Sequence, residues 1–254
     1  MSIRIAVIAE AEADRRQICE TIDRKLRHHA PAWWDDEQLQ SERVYCGLLP
    51  GTSFTKWAEL RTIVTDQNAL RSGGFIGFGA GKNRRFDYPL ARKALIHCAL
   101  ANPRMDAVVL IRDMDQQPVE RTASLAQAQA DASEATMKVI LALPRAKREA
   151  WVLNGFIPLD SKEAAAFDAV RVELSFDPCE RPEELYATKT GATRNAKRVL
   201  ARLIADDRER EAKCWLETDW SILRSRGKGS GLTQFLADVT ERLVPLVTGQ
   251  PRQV

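Results

Sequence analysis

The sequence is poor in the groups that most catalytic chemistries need. It has only three histidines, His28, His29 and His97, all in stretches predicted to be helical. No Ser/His/Asp or Cys/His constellation can be assembled around them. Its five cysteines (Cys19, Cys46, Cys98, Cys179, Cys214) are scattered, odd in number and without C-x-x-C spacing. That pattern argues against a zinc site and a disulfide framework and for free thiols in a reducing cytoplasm. No apolar run approaches the length that spans a bilayer. The first residues enter a strand directly, so no signal peptide is expected. There is no internal repeat and no low-complexity tract. The net charge of +3 neither demands nor excludes a nucleic-acid partner. What remains is a globular cytoplasmic chain of 254 residues, with 44% hydrophobic content sufficient for a real core.

The stretch that organises the rest is Asp106-Ala107-Val108-Val109-Leu110-Ile111-Arg112-Asp113-Met114-Asp115. Five consecutive apolar residues, Ala107 to Ile111, read as a strand buried on both faces, as in a parallel sheet. It runs into two aspartates spaced i, i+2, and ligands bind at the carboxyl ends of such strands. If the backbone stays extended, Asp113 and Asp115 leave on one side and repel unless a cation lies between them. Mg²⁺, held through one or two carboxylates with water and phosphate, meets that need. The other role for either aspartate is to cap the next helix.

Residues 2–10 read as a first buried strand ending in Glu10-Ala11-Glu12-Ala13-Asp14, followed by helical spacing at Ile18, Ile22 and Leu26. A short strand is expected over Arg43 to Leu49 and a helix over Phe54 to Leu70. The glycine-rich stretch 73–85 fails the phosphate-loop pattern, because Ile76 stands five before Gly81 and Asn83 follows Lys82. What it offers is Lys82, Arg84 and Arg85 beside aromatic residues, a composition suited to a nucleic-acid strand or to a solvated loop. Helices are predicted over Tyr88 to Asn102 and over Pro118 to Ser133, with Pro118 in a first turn. A buried strand runs from Met137 to Leu143, then a short helix carries Glu149-Ala150-Trp151. From Pro158 onward only helices are expected, including a basic amphipathic one over Ala192 to Ala205 with Arg194, Lys197, Arg198 and Arg202. Two more, Cys214 to Leu223 and Leu232 to Val247, are separated by the glycine-rich Ser225 to Gly231. The order implies an α/β domain over 1–157, a mostly parallel sheet flanked by helices, and a helical C-terminal appendage over 158–254.

Glu10, the pair Asp113 and Asp115, and Glu149 thus fall at loop ends of a parallel sheet. This acid pattern resembles the Toprim domain of topoisomerases, bacterial primases and OLD-family nucleases, whose signature is a glutamate ending the first strand and D-x-D ending a later one. It is also similar to uncharacterised Toprim-like proteins associated with bacterial phage-defence ATPases, in the D-x-D strand, the glutamate-alanine-tryptophan helix and the basic tail. The resemblance covers roughly residues 3–155. It implies a Mg²⁺- or Mn²⁺-dependent nuclease with an ATPase partner, in which Glu10 is the general acid/base and Asp113 and Asp115 are the metal ligands. Glu149 is then a second-metal ligand or a support. Lys82, Arg84, Arg85, Arg194, Lys197 and Arg198 would offset phosphate charge. Ala11 departs from the usual glycine, which makes Glu12 a rival to Glu10; Glu12 and Asp14 also suit a helix first turn. Two other readings stand beside this one. A haloacid-dehalogenase-type phosphatase also carries D-x-D, but on its first strand and followed by glycine-threonine, where this chain has Gln116-Gln117. A non-catalytic partner-binding subunit could use some of the six tryptophans as interface anchors.

Overall fold

The computed structural model describes residues 2–64, 86–114, 117–132 and 136–249. The protein is α/β, with a parallel sheet and flanking helices, and it divides into two compact units. The first is Met1–Arg112, Val119–Ala142 and Ala237–Val254; the second is Asp113–Pro118 and Leu143–Leu236.

The first unit is built on β1 (Ile3–Ala9), β2 (Arg43–Cys46), the two-residue β3 (Thr55–Lys56), β4 (Ala107–Ile111) and β5 (Lys138–Ala142). The order is β2-β1-β4-β5, every pairing is parallel, and β3 adds to the far end of β1. β1 and β4 are the centre because their side chains are aliphatic on both faces; Ile5 to Ala9 and Ala107 to Ile111 are all buried. Burial of each larger aliphatic is worth about 1.5–3 kcal/mol. The start of the sheet is pinned by Asp106, whose Oδ2 accepts from the Arg4 N–H at 2.8 Å. The helices of this unit are α1 (Glu12–His29), α2 (Asp36–Glu42), α3 (Trp57–Ile63), α4 (Tyr88–Leu100) and α5 (Pro118–Asp131). α1 buries Ile18, Ile22 and Leu26, the spacing that predicts it. The helix expected from Phe54 begins only at Trp57, because Thr55 and Lys56 pair with Ile8 and Ala9 as β3.

The second unit holds α6 (Arg148–Asn154), α7 (Ser161–Leu174), a 3₁₀ turn at Pro182–Glu184, α8 (Ala196–Ile204), α9 (Arg208–Leu216) and α10 (Trp220–Ser230). The boundary expected at 157/158 falls inside it. The reason is a shared core, in which Leu153 and Phe156 cluster with Val170, Leu174, Leu200 and Trp215.

Two expectations for the helices need correction. The helix predicted over Cys214 to Leu223 is split, because Asp219 caps a new one by accepting from the Ser221 N–H at 2.7 Å. The glycine-rich Ser225 to Gly231 is helix as far as Ser230. Its glycines serve close approach: a Cβ on Gly227 would lie 2.7 Å from Leu232 Cβ, and one on Gly229 would lie 2.1 Å from a Glu183 carboxylate oxygen.

α11 (Leu232–Asp238) then leads the chain back to the first unit, where a π turn (Val239–Leu243) and α12 (Val244–Thr248) pack against α1. Among the described residues no helix is long and apolar enough to cross a membrane.

Candidate functional site

The register Ile8↔Leu110 places the carboxyl ends of β1 and β4 side by side. The first residues past them are Glu10 and Arg112, and they pair: Arg112 Nη1 lies 2.9 Å from Glu10 Oε1. The other arm of the guanidinium, Nη2, lies 3.4 Å from Asp87 Oδ1, and Arg121 Nη1 lies 3.6 Å from Asp87 Oδ2. Arg112 also sits over the Trp57 ring, 5.4 Å from its centroid. That indole is fixed by its Nε1–H, which donates to the Ile111 carbonyl at 2.6 Å. The edge of the first unit therefore carries an alternating row of acid, base, acid and base. The resemblance makes Glu10 the general acid/base at a metal site; in this structure a guanidinium holds it.

The departure at Ala11 costs nothing here. Ala11 has φ −145°, extended backbone that any residue adopts, so glycine is not required at the turn. The rival Glu12 is committed to the first turn of α1, where its hydrogen bonds from Arg15 hold its carboxyl below the usual range. Asp14 accepts from the Ala11 N–H at 2.8 Å and so caps the same helix.

In the second unit Asp113 Oδ1 accepts from the Arg148 N–H at 3.0 Å, at the start of α6. The segment is held by Met114, whose N–H donates to the Pro144 carbonyl at 2.9 Å and which bridges Arg145 in parallel. Glu149 is only 5% exposed. Its Oε1 lies 3.5 Å from Arg148 Nη2 and 3.9 Å from Lys197 Nζ, whereas its Oε2 is buried without a hydrogen-bond partner. Arg148 also pairs with Glu211. α6 is held in place. Trp151 donates from Nε1 to the Ser230 carbonyl at 2.9 Å and stacks on Phe235 at 5.1 Å. Buried Asn154 donates to the carbonyls of Cys179 and Arg226, both at 3.0 Å.

Asp115, Lys82, Arg84 and Arg85 lie outside the described residues. Among the described residues no group of three or more His, Cys, Asp or Glu is placed to hold a metal ion. The basic face of α8 is partly neutralised by its own chain: Arg198 and Arg202 both engage Glu173, and Arg194 lies 3.9 Å from Glu184. Those two arginines hold the Glu173 carboxyl below its usual range.

Reading the sequence for acids overlooked Arg112, Asp87, Arg121 and Arg148. For Arg112 a signal was present, since a cation directly after a buried strand, with an acid at the end of the neighbouring strand, has few partners other than that acid. For Asp87 and Arg121 there was none, because their meeting depends on tertiary packing. Compared with protein-family models, with curated proteins and with solved structures, the chain matches none.

Proposed function

We propose that this protein is a divalent-metal-dependent nuclease of the Toprim type, acting in the cytoplasm with an ATPase partner as an effector of bacterial phage defence. One observation carries the reading. Glu149 is buried, one of its carboxylate oxygens has no hydrogen-bond partner among the described residues, and the N–H of the preceding Arg148 donates to Asp113. A buried carboxylate oxygen without a hydrogen-bond partner is costly, and a cation relieves it. Asp113 and Asp115 are the residues that would hold Mg²⁺ or Mn²⁺, with Glu149 as a second-metal ligand or a support. A bound ion of this kind supplies Lewis acidity toward a phosphate oxygen. Glu10 is the group to take the proton of the attacking water, which requires Arg112 to release it. Lys82, Arg84, Arg85, Arg194, Lys197 and Arg198 offset backbone charge.

The experiment is cleavage of labelled single- and double-stranded DNA and RNA with Mg²⁺, Mn²⁺ or chelator. The informative variant is Asp113→Asn, because the amide oxygen can still accept from the Arg148 N–H while the charge is gone. The expected result is metal-dependent cleavage reduced at least about 100-fold in Asp113→Asn and Glu10→Gln, with melting temperatures near wild type. Undiminished cleavage in both variants overturns the proposal. The ion pair of Glu10 with Arg112 favours a second reading, a non-catalytic subunit whose strand-end acids are structural. That reading requires no cleavage under any metal and no rise in melting temperature with Mn²⁺.

A further inference from the structure

The stretch from Tyr186 to Ala205 contains Lys189, Arg194, Lys197, Arg198 and Arg202 and not one carboxylate. Its first half is a cinched loop. Tyr186 and Asn195 pair antiparallel, and the Ala187 N–H donates to the Arg194 carbonyl at 3.0 Å. Asn195 is buried and ties the base from inside: its Nδ2 donates to the Ala187 carbonyl at 2.9 Å, and its Oδ1 accepts from the Arg198 N–H at 3.1 Å. The loop is thus built before any partner arrives, which lowers the ordering cost of binding.

Tyr186, on its rim, is 60% exposed. The Arg194 guanidinium lies 6.0 Å from the Tyr186 centroid and 5.5 Å from that of Phe176, which Arg181 also approaches at 5.3 Å. Lys189 is exposed and, among the described residues, forms no ion pair; Lys197 reaches solvent at the start of α8 with a side chain 68% exposed. An exposed aromatic ring beside outward-reaching cations, of which Lys189 has no ion pair among the described residues, on a fixed loop is the pattern that binds unpaired nucleotides, base on ring and phosphate on cation.

We infer that this loop and the start of α8 form a docking surface for single-stranded nucleic acid, with Tyr186 as a stacking platform. A duplex keeps its base faces stacked on one another and cannot use the ring. The inference takes its class of partner from the nuclease proposal but does not need a metal.

The test is fluorescence anisotropy of a labelled thymidine 20-mer, and of the same strand in duplex, with the full chain in EDTA. The single strand is expected to bind at least about tenfold tighter than the duplex. Tyr186→Ala is expected to weaken it about 5- to 150-fold, the range for loss of one stacked base, while Tyr186→Phe keeps wild-type affinity. Lys189→Gln is expected to reduce the slope of log affinity against log salt by about 0.7. Lys162→Gln, an exposed cation on α7, serves as the control and leaves both unchanged. No binding of the single strand, or equal binding by Tyr186→Ala and wild type, overturns the inference. Tyr186-dependent binding without cleavage in Mg²⁺ or Mn²⁺ upholds this surface and removes the nuclease proposal. Cleavage indifferent to Tyr186→Ala does the reverse.

Discussion

Replacing Arg112 by glutamine separates what its guanidinium does for the fold from what it does to Glu10. The side chain links Glu10, which is 37% exposed, to Asp87, which is 14% exposed, and rests on the Trp57 ring. On the Glu10 side water can replace the lost partner, so the cost is about 0.5–1 kcal/mol. Asp87 keeps Arg121 at 3.6 Å, and its loss is that of a charge-assisted contact, about 1–1.5 kcal/mol. Leaving the indole adds about 0.5 kcal/mol. The total, roughly 2–3 kcal/mol, lowers the melting temperature by about 5–10 °C for a chain of this size. On the nuclease proposal, a competitor for the Glu10 carboxylate disappears at the same time. If the coupling between guanidinium and metal is about 1 kcal/mol, Mn²⁺ binds about fivefold more tightly to Arg112→Gln than to wild type. Differential scanning calorimetry reads the first quantity and isothermal titration with Mn²⁺ the second. An unchanged melting temperature refutes the accounting of the ion pairs. A loss of stability with unchanged Mn²⁺ affinity means that Glu10 and the ion do not share a site.

Two other consequences can be checked by stability measurements. Gly155→Ala would place a Cβ 1.9 Å from the Cys214 carbonyl oxygen, a backbone atom that cannot swing away, so a loss of at least about 2 kcal/mol in urea unfolding is expected. Gly191→Ala, at a positive φ in open space, is expected to cost only about 1 kcal/mol; equal losses would refute the steric account. Glu163 is hydrogen-bonded by Arg210, which holds its carboxyl below the usual range in the folded state. A group depressed in this way stabilises the fold above its unfolded pKa and loses that contribution as pH falls through the folded value. Wild type minus Glu163→Gln should therefore show a stability difference that is constant from pH 7 down to about pH 5 and shrinks below it. A difference that persists unchanged at pH 2.5 would sink the argument.

How far the sequence discloses this molecule depends on the distance over which the deciding interaction acts. β1, β4 and β5 are legible because a parallel strand buried on both faces has to be an unbroken aliphatic run, and Ala107 to Ile111 can be little else. α1 is legible from the apolar spacing of Ile18, Ile22 and Leu26. The glycines of α10 mislead because local rules treat glycine as a breaker. The purpose of Gly229 is set by Glu183, far away in the chain, and that of Gly227 by Leu232. The candidate site is half legible. That Glu10 and Asp113 follow strand ends is written in the order of residues. That Arg112 turns to Glu10 requires the β1–β4 register, and that Glu149 is buried with one oxygen unmatched requires the anchoring of α6 by Trp151 on Ser230 and by Asn154 on Cys179. The limit of the second unit is set in a similar way, since Leu153 and Phe156 cluster with Val170, Leu200 and Trp215.

The return of the chain to α1 has a bearing on how the protein is made. The segment that covers α1, Val239–Thr248, follows the end of that helix by about 210 residues. At ribosomal speeds of roughly 5–20 residues per second, α1 emerges about 10–40 s before its cover exists. During that interval a greasy surface is bare on the nascent polypeptide, open to chaperones and to other nascent chains. A message truncated after Leu236 would leave it bare for good, so the harm would fall on the segment translated first.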